Sequence, residues 1–381
     1  MIKLALGFLL LGYAIASPGA AHAVDRIVAT AGLSLRVKTF ASGLVHPWSL
    51  AFLPDGRMLV TERPGRLRLV SPDGALSAPL AGVPAVDAKG QGGLLDVALH
   101  PDFARNGLIY LSYAEADGGV NGTAIARGRL MEDGAPGLSE LKVIFRQFPK
   151  VDGRNHYGSR LVFDRSGYLW ATLGERQTDE NRKRAQDLGT HFGKVIRLKD
   201  DGSVPDDNPF VGQPGAQPEI WSYGHRNPQG MAIHPDTGVV WTHEHGPRGG
   251  DALNTPRRGG NYGWPIATYG REYSGAAIFT GDHYPQQFVE PLYFWTPSIA
   301  PSGMAFYTGD AIPKWRGSLL IGALAGERLV RLEMDGDRVM REEHLLRDLG
   351  MRIRDVRVAP DGKVYLLTDA AKAEILRLGP L

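Results

Sequence analysis

The chain has 381 residues, 43 % of them hydrophobic, enough for one large repeat domain or two ordinary ones with a sizeable core. Its 43 Lys and Arg stand against 41 Asp and Glu, a balance that gives no electrostatic case for nucleic acid or an anionic membrane as partner. It has no cysteine, which excludes disulfides, thiolate zinc sites, iron–sulfur clusters and covalently attached haem, so any redox cofactor must be held non-covalently.

Residues 1–23 have the form of a secretory signal. Lys3 precedes an apolar run from Leu4 to Ile15, and Ala21-His22-Ala23 is a small-residue cleavage motif. The run is short for a bilayer span, although an uncleaved anchor is the alternative. Cleavage would leave residues 24–381 as a single periplasmic or secreted domain starting near Val24. No later stretch reads as transmembrane.

After the signal, short apolar or alternating runs are separated by turn residues, the pattern of an all-β protein. A degenerate unit recurs: a turn of the Pro-Asp-Gly kind followed by an apolar strand. In chain order the strands are Met58–Thr61, Leu108–Tyr113, Tyr168–Leu173, Val239–Thr242, Ser318–Ala323 and Val364–Thr368. Before each stands a turn glycine: Gly56, Gly107, Gly167, Gly238, Gly317 and Gly362. A tight hairpin needs a φ > 0 position there. Six units at about 50 to 70 residues apart favour a six-bladed β-propeller, with four-stranded antiparallel blades around a central channel, over a pair of sandwiches. Leu33–Phe40 and Ala373–Leu378 are placed to complete one blade together. Helical periodicity is confined to the polar stretch Thr178 to Leu188, with Thr178 as its N-cap.

Several glycine-rich loops carry polar residues beside these strands. They are Gly90 to Gly93, Asn155 to Arg160, Gly224 to Gly230, His243 to Asp251, and Arg352 to Asp355. His156 stands at a strand entry, and a neutral imidazole is suited to taking a proton near neutral pH. A lone His is more often structural, bonding a backbone carbonyl. Arg226 and Asn227 pair a guanidinium fork with an amide, a combination that suits a flat, oxygen-rich polyanion. Arg352 and Arg354 alternate on a strand and can face the channel together. They can also form a solvated basic face with Arg347 and Arg357. His243-Glu244-His245 could put two imidazoles on one side of a strand, but a third zinc ligand at a recognisable spacing is missing.

These segments, with His46 to Phe52, Gly92 to Phe103, Asn261 to Pro265 and Ala300 to Gly303, resemble the soluble glucose/sorbosone dehydrogenase family, and within it the aldose sugar dehydrogenases. The likeness runs from about residue 35 to the C-terminus, and it implies the following. The fold is a six-bladed propeller. The cofactor is pyrroloquinoline quinone (PQQ), with three carboxylates and an ortho-quinone. His156 is the general base, and Glu175 the acid that orients it. Arg226 polarises the quinone oxygen. Gln91, Asn227, Arg352 and Arg354 hold the cofactor, and Trp295 can stack on a ring. The carbonyls of Gly246 and Pro247 bind a calcium ion that bridges protein and quinone. The family's second calcium site falls on Ala252 and Tyr262, where Ala252 cannot supply the usual carboxylate. Ala325 stands where glucose-oxidising relatives carry a lysine. The implied reaction is oxidation of an aldose at C1 to a lactone, with electrons passed to an external acceptor, a cytochrome or the quinone pool. The rivals are a calcium-dependent lactonase propeller and a non-catalytic binding propeller.

Overall fold

The computed structural model describes residues 23–381 apart from 133, 135, 280, 282 and 283, so the signal segment, save Ala23, lies outside the described residues. Its strands form six antiparallel sheets arranged as propeller blades. The six repeated strands have one structural meaning: each is the second strand of its blade. They run Met58–Glu62, Leu108–Asp117, Leu169–Leu173, Val240–Glu244, Leu319–Ala323 and Val364–Thr368. All six turn glycines that precede them have positive φ, from 62° at Gly107 to 87° at Gly56.

The blades are not uniform. Four are four-stranded, but the first has three strands and the sixth has five. In blade 1 the fourth position is filled without a full ladder: Ser77 and Leu80 donate to the Leu69 and Leu67 carbonyls, and Pro79 between them has no N–H to give. The sixth blade draws its two outermost strands, Leu33–Leu44 and Asp25–Thr30, from the N-terminus and its inner three from the C-terminus. Leu33–Leu44 pairs with Ala373–Gly379 from Arg36↔Gly379 to Leu44↔Ala373, the joint expected from sequence. The helical stretch is one turn of α-helix, Asp179–Lys183, followed by a 3-10 turn, and the Thr178 side chain accepts from the Asn181 N–H.

The core lies between blades, not on the axis. Leu59 and Leu67 meet Leu94 and Leu111 across blades 1 and 2, and Tyr110 and Ile125 meet Leu161 and Ile196 across 2 and 3. Trp170 and Val195 meet Met231 and Val240 across 3 and 4; Trp241 and Leu253 meet Met304 and Ile321 across 4 and 5. Leu320 and Leu329 meet Ile353 and Leu366, and Ile375 closes against Leu50 and Val60. The axis itself is polar. Buried Arg160 reaches the Asp96 and Asp355 carboxylates, each at 3.2 Å, while the other oxygens of those acids accept from Leu161 N–H and Leu50 N–H. This charge-paired hub ties inner strands of blades 1, 2, 3 and 6 together.

Candidate active site

One mouth of the channel opens into a cavity of about 320 Å³, lined by residues of all six blades. Gln91, Asn227, Arg352 and Arg354 line it, as do Trp48, Arg63, His245 and Asp369. His156, itself buried, immediately precedes the wall residues Tyr157 and Gly158.

His156 is held from both ends. Its backbone, at φ 51°, donates to Gln91 Oε1 at 2.9 Å. Its Nδ1–H donates to Glu175 Oε1 at 3.1 Å, and among the described residues nothing bonds Nε2. A carboxylate can only accept, so the Nδ1 tautomer is fixed and the basic lone pair stays on Nε2. Burial pushes the imidazole pKa below its usual value, the Glu175 bond opposes that, and the nearby Arg226 charge adds to it. Burial therefore favours the neutral ring. Gly174, next to Glu175, has no room for a side chain: a Cβ there would stand 2.1 Å from the His156 carbonyl. Asn227 Oδ1 accepts from the Gly158 N–H at 3.1 Å, tying the same loop to blade 4.

Arg226 is buried, with its guanidinium 5.3 Å from the Trp264 ring. Its Nη1 donates to the Gly246 carbonyl at 2.9 Å and its Nη2 to the Tyr273 hydroxyl at 3.2 Å. Its Nε and the Nε of Arg354 are buried donors with no partner among the described residues. A buried donor left unpaired is costly, so these two mark where an oxygen-rich ligand fits. Charge points the same way. Arg63, Arg352 and Arg354 line one cavity with the single carboxylate of Asp369, which bonds Arg352 and Arg354 at 3.1 and 2.9 Å. Three guanidiniums against one carboxylate leave room for a polyanion.

The positions implied for calcium flank Arg226. Pro247 lines a cavity of about 140 Å³ with Glu175, Trp264 and Tyr273. Gly246, Ala252 and Tyr262 line a smaller one of about 30 Å³, together with Glu244 and Asn254. Ala252 lies opposite Glu244 in the strand register. The Glu244 carboxylate is already engaged by His225, Asn254 and the Arg226 N–H, while Asn254 Oδ1 is a buried acceptor without a partner among the described residues. Oxygen donors of this kind fit a hard cation. Among the described residues no three His, Asp or Glu side chains converge as a metal cluster.

Trp295 lies apart. Its ring packs in the core between blades 4 and 5, 5.2 Å from Tyr293, and only its carbonyl reaches the site loops, accepting from the Gly250 N–H. The sequence does not single out Arg63 or Asp369, and it offers His245 only as a zinc ligand. Each is the residue immediately after the second strand of its blade, and each donates its N–H to the carbonyl of the residue before that blade's first strand. The repeat thus contained the signal, one residue beyond its end. His245 is neutral: burial holds its pKa well below the usual value, and Nε2–H donates to the Pro301 carbonyl at 2.7 Å.

A propeller whose mouth joins a carboxylate-backed neutral His to a guanidinium-rich cavity is an oxidoreductase scaffold, of the class acting on CH–OH groups. The chain belongs to the glucose/sorbosone dehydrogenase family, whose profile matches residues 44–377. It is 49 % identical over 350 residues to the aldose sugar dehydrogenase YliI of Escherichia coli, covering 91 % of this chain and 93 % of that one. The crystal structure of a glucose dehydrogenase superposes with a TM-score of 0.87 at 54 % identity, covering 91 % of this chain and 99 % of the other. The PQQ-bound aldose sugar dehydrogenase of Streptomyces coelicolor matches with a TM-score of 0.75 at 31 % identity, over 94 % and 99 % of the two chains.

Proposed function

We propose that this protein is a PQQ- and calcium-dependent aldose dehydrogenase, exported after cleavage near Val24, that oxidises the sugar at C1 to the aldonolactone. The PQQ-bound relative supports the cofactor. One observation carries the reading: a buried neutral imidazole, backed by Glu175, beside a cavity with three guanidiniums and one carboxylate.

PQQ, when bound, supplies the acceptor for the substrate's hydride; calcium supplies Lewis-acid polarisation. Arg352 and Arg354, with Gln91 and Asn227, would hold the cofactor, and the Gly246 and Pro247 carbonyls the ion. The protein does the rest. His156 Nε2 takes the proton of the anomeric hydroxyl, so the C1 hydrogen can leave with its electron pair. Glu175 keeps Nδ1–H in place and stabilises the imidazolium as it forms. Arg226 places positive charge where negative charge develops on the acceptor. The two electrons then pass to an external acceptor, a cytochrome or the quinone pool.

Purified from a host without the quinone, the protein should be inactive. Addition of PQQ plus calcium should give sugar-dependent dye reduction, and a chelator added first should prevent it. Full activity in chelator without PQQ would overturn the cofactor assignment. Hydrolysis of a lactone with no dye reduced would favour the lactonase.

A further inference from the structure

We propose that Arg63 is a cofactor-binding residue of this site, supplying one of the cations that receive the carboxylates of PQQ. The inference rests on the PQQ reading above. Arg63 follows the strand Met58–Glu62 and lines the same cavity as Arg352 and Arg354, some 290 residues away in sequence. Its side chain is half-buried. Burial lowers its pKa, and the Arg354 charge lowers it further, which puts the two guanidiniums within electrostatic reach in one cavity.

The geometry leaves Arg63 one task undone. Its Nε donates to the Gly92 carbonyl at 3.0 Å and its Nη2 to the Gly90 carbonyl. Its Nη1 bonds no described residue. Unlike Arg352 and Arg354, it has no carboxylate within ion-pair distance among the described residues. The Asp369 charge acts on it only at longer range. A half-buried cation on the cavity wall, with a free donor and no counter-ion among the described residues, is suited to receive an anionic ligand.

Arg63 also shapes the loop it grips. At Gly93, whose φ is 125°, a Cβ would stand 2.1 Å from the Arg63 carbonyl, and at Gly90 one would stand 2.5 Å from the Arg154 carbonyl. The glycines around Gln91 are therefore the residues that let the loop wrap Arg63. Gln91 Oε1 then receives the His156 N–H. One guanidinium thus faces the cavity and fixes the loop that meets the base.

The test is binding, not turnover. Apo-protein is titrated with PQQ in excess calcium by calorimetry, at several salt concentrations, for wild type, Arg63→Met and Arg63→Lys. Arg63→Met should raise Kd about tenfold or more, as expected for loss of one charge-assisted contact, and should make the salt dependence shallower. Arg63→Lys should recover part of the affinity and most of the salt dependence, because it keeps a charge without the fork. Weaker binding with unchanged salt dependence in Arg63→Met would assign Arg63 to the loop alone and overturn the proposal, as would a Kd within about threefold of wild type. If Arg63→Met does not fold, the lysine variant decides: wild-type affinity overturns the proposal. If wild-type protein itself fails to bind PQQ, the function reading falls, and this inference with it.

Discussion

At the scale of single residues, His156 bears the most specific chemistry. The base must be neutral, and burial already holds its pKa below the usual 6.5. The rate should therefore rise with pH on a limb lying below that value and level off before neutrality. His156→Gln keeps the size and some hydrogen bonding but cannot accept the proton. Turnover per bound quinone should fall by about 10²- to 10⁴-fold. Cofactor affinity should survive, since Arg226 and Arg354 remain. Turnover within threefold of wild type at full cofactor content would show His156 to be structural. His156 and Arg226 stand out in the sequence because glycine-rich loops at strand entries carry polar residues, whereas Glu175 enters only through the family resemblance. Arg63 and Asp369 do not stand out, because the cavity they share spans the closure of the ring: blades 1 and 6 are far apart in sequence and adjacent in space. Trp295 shows the converse. An indole in a polar neighbourhood of sequence is equally suited to a core, and here the strand Tyr293–Trp295 turns it into the contact with blade 5.

Among elements, the joints between blades repeat as the turns do. Thr61, Ser112 and Thr172, all on second strands, each donate a hydroxyl to a carbonyl of the following blade: Leu95 at 2.5 Å, Ser159 at 2.7 Å and Pro228 at 3.0 Å. His243 holds the same place in blade 4, paired with Gly230 as Thr61 is with Ser49, and its buried ring bonds nothing among the described residues; Thr242 beside it also carries a buried hydroxyl with no partner there. In blade 5 the place falls to Gly322, and Ser302 on the neighbouring strand bonds the Ile353 carbonyl instead. This contrast is measurable. Thr172 also accepts the Arg160 N–H at 2.9 Å, so Thr172→Val strands a buried donor and a buried acceptor. The loss should be about 2 kcal/mol or more in urea unfolding. Thr242→Val removes a hydroxyl that bonds nothing and should be neutral or slightly stabilising. Equal losses in the two variants would refute the joint. The strands and their turns could be read from periodicity and glycine. The joints could not, because a threonine on a strand reads as β-propensity whether or not its hydroxyl reaches a neighbour.

The whole molecule depends on one closure. A propeller blade has an exposed outer edge, and a ring left open would add unpaired inner strands and an uncovered interblade core. Here the ring closes because the N-terminal strand Leu33–Leu44 adds to the C-terminal strand Ala373–Gly379. The sequence offered both segments and their apolar alternation, but not the fifth strand, Asp25–Thr30. That strand is largely exposed and adds little to the core. Two truncations separate these roles. A chain beginning at Ala31 loses the outermost strand and the buried Val24 that precedes it, and should keep the fold and cofactor binding, with a modest fall in Tm. A chain beginning at Val45 also loses Leu35, Val37, Ala41 and Leu44, all buried against blades 5, 6 and 1. Each buried Leu or Val contributes about 1.5–3 kcal/mol, so the three large ones alone represent on the order of 6 kcal/mol. That is comparable with the whole stability of a typical domain, about 5–15 kcal/mol. It also bares the edge of Ala373–Gly379, an invitation to pair with another chain. The shorter chain should be insoluble, or should elute from size exclusion as oligomers without a cooperative unfolding transition. A monomeric, cooperatively folding protein starting at Val45 would mean that five blades and a half-blade close without the N-terminal strand, and the closure would then be ornament and not foundation.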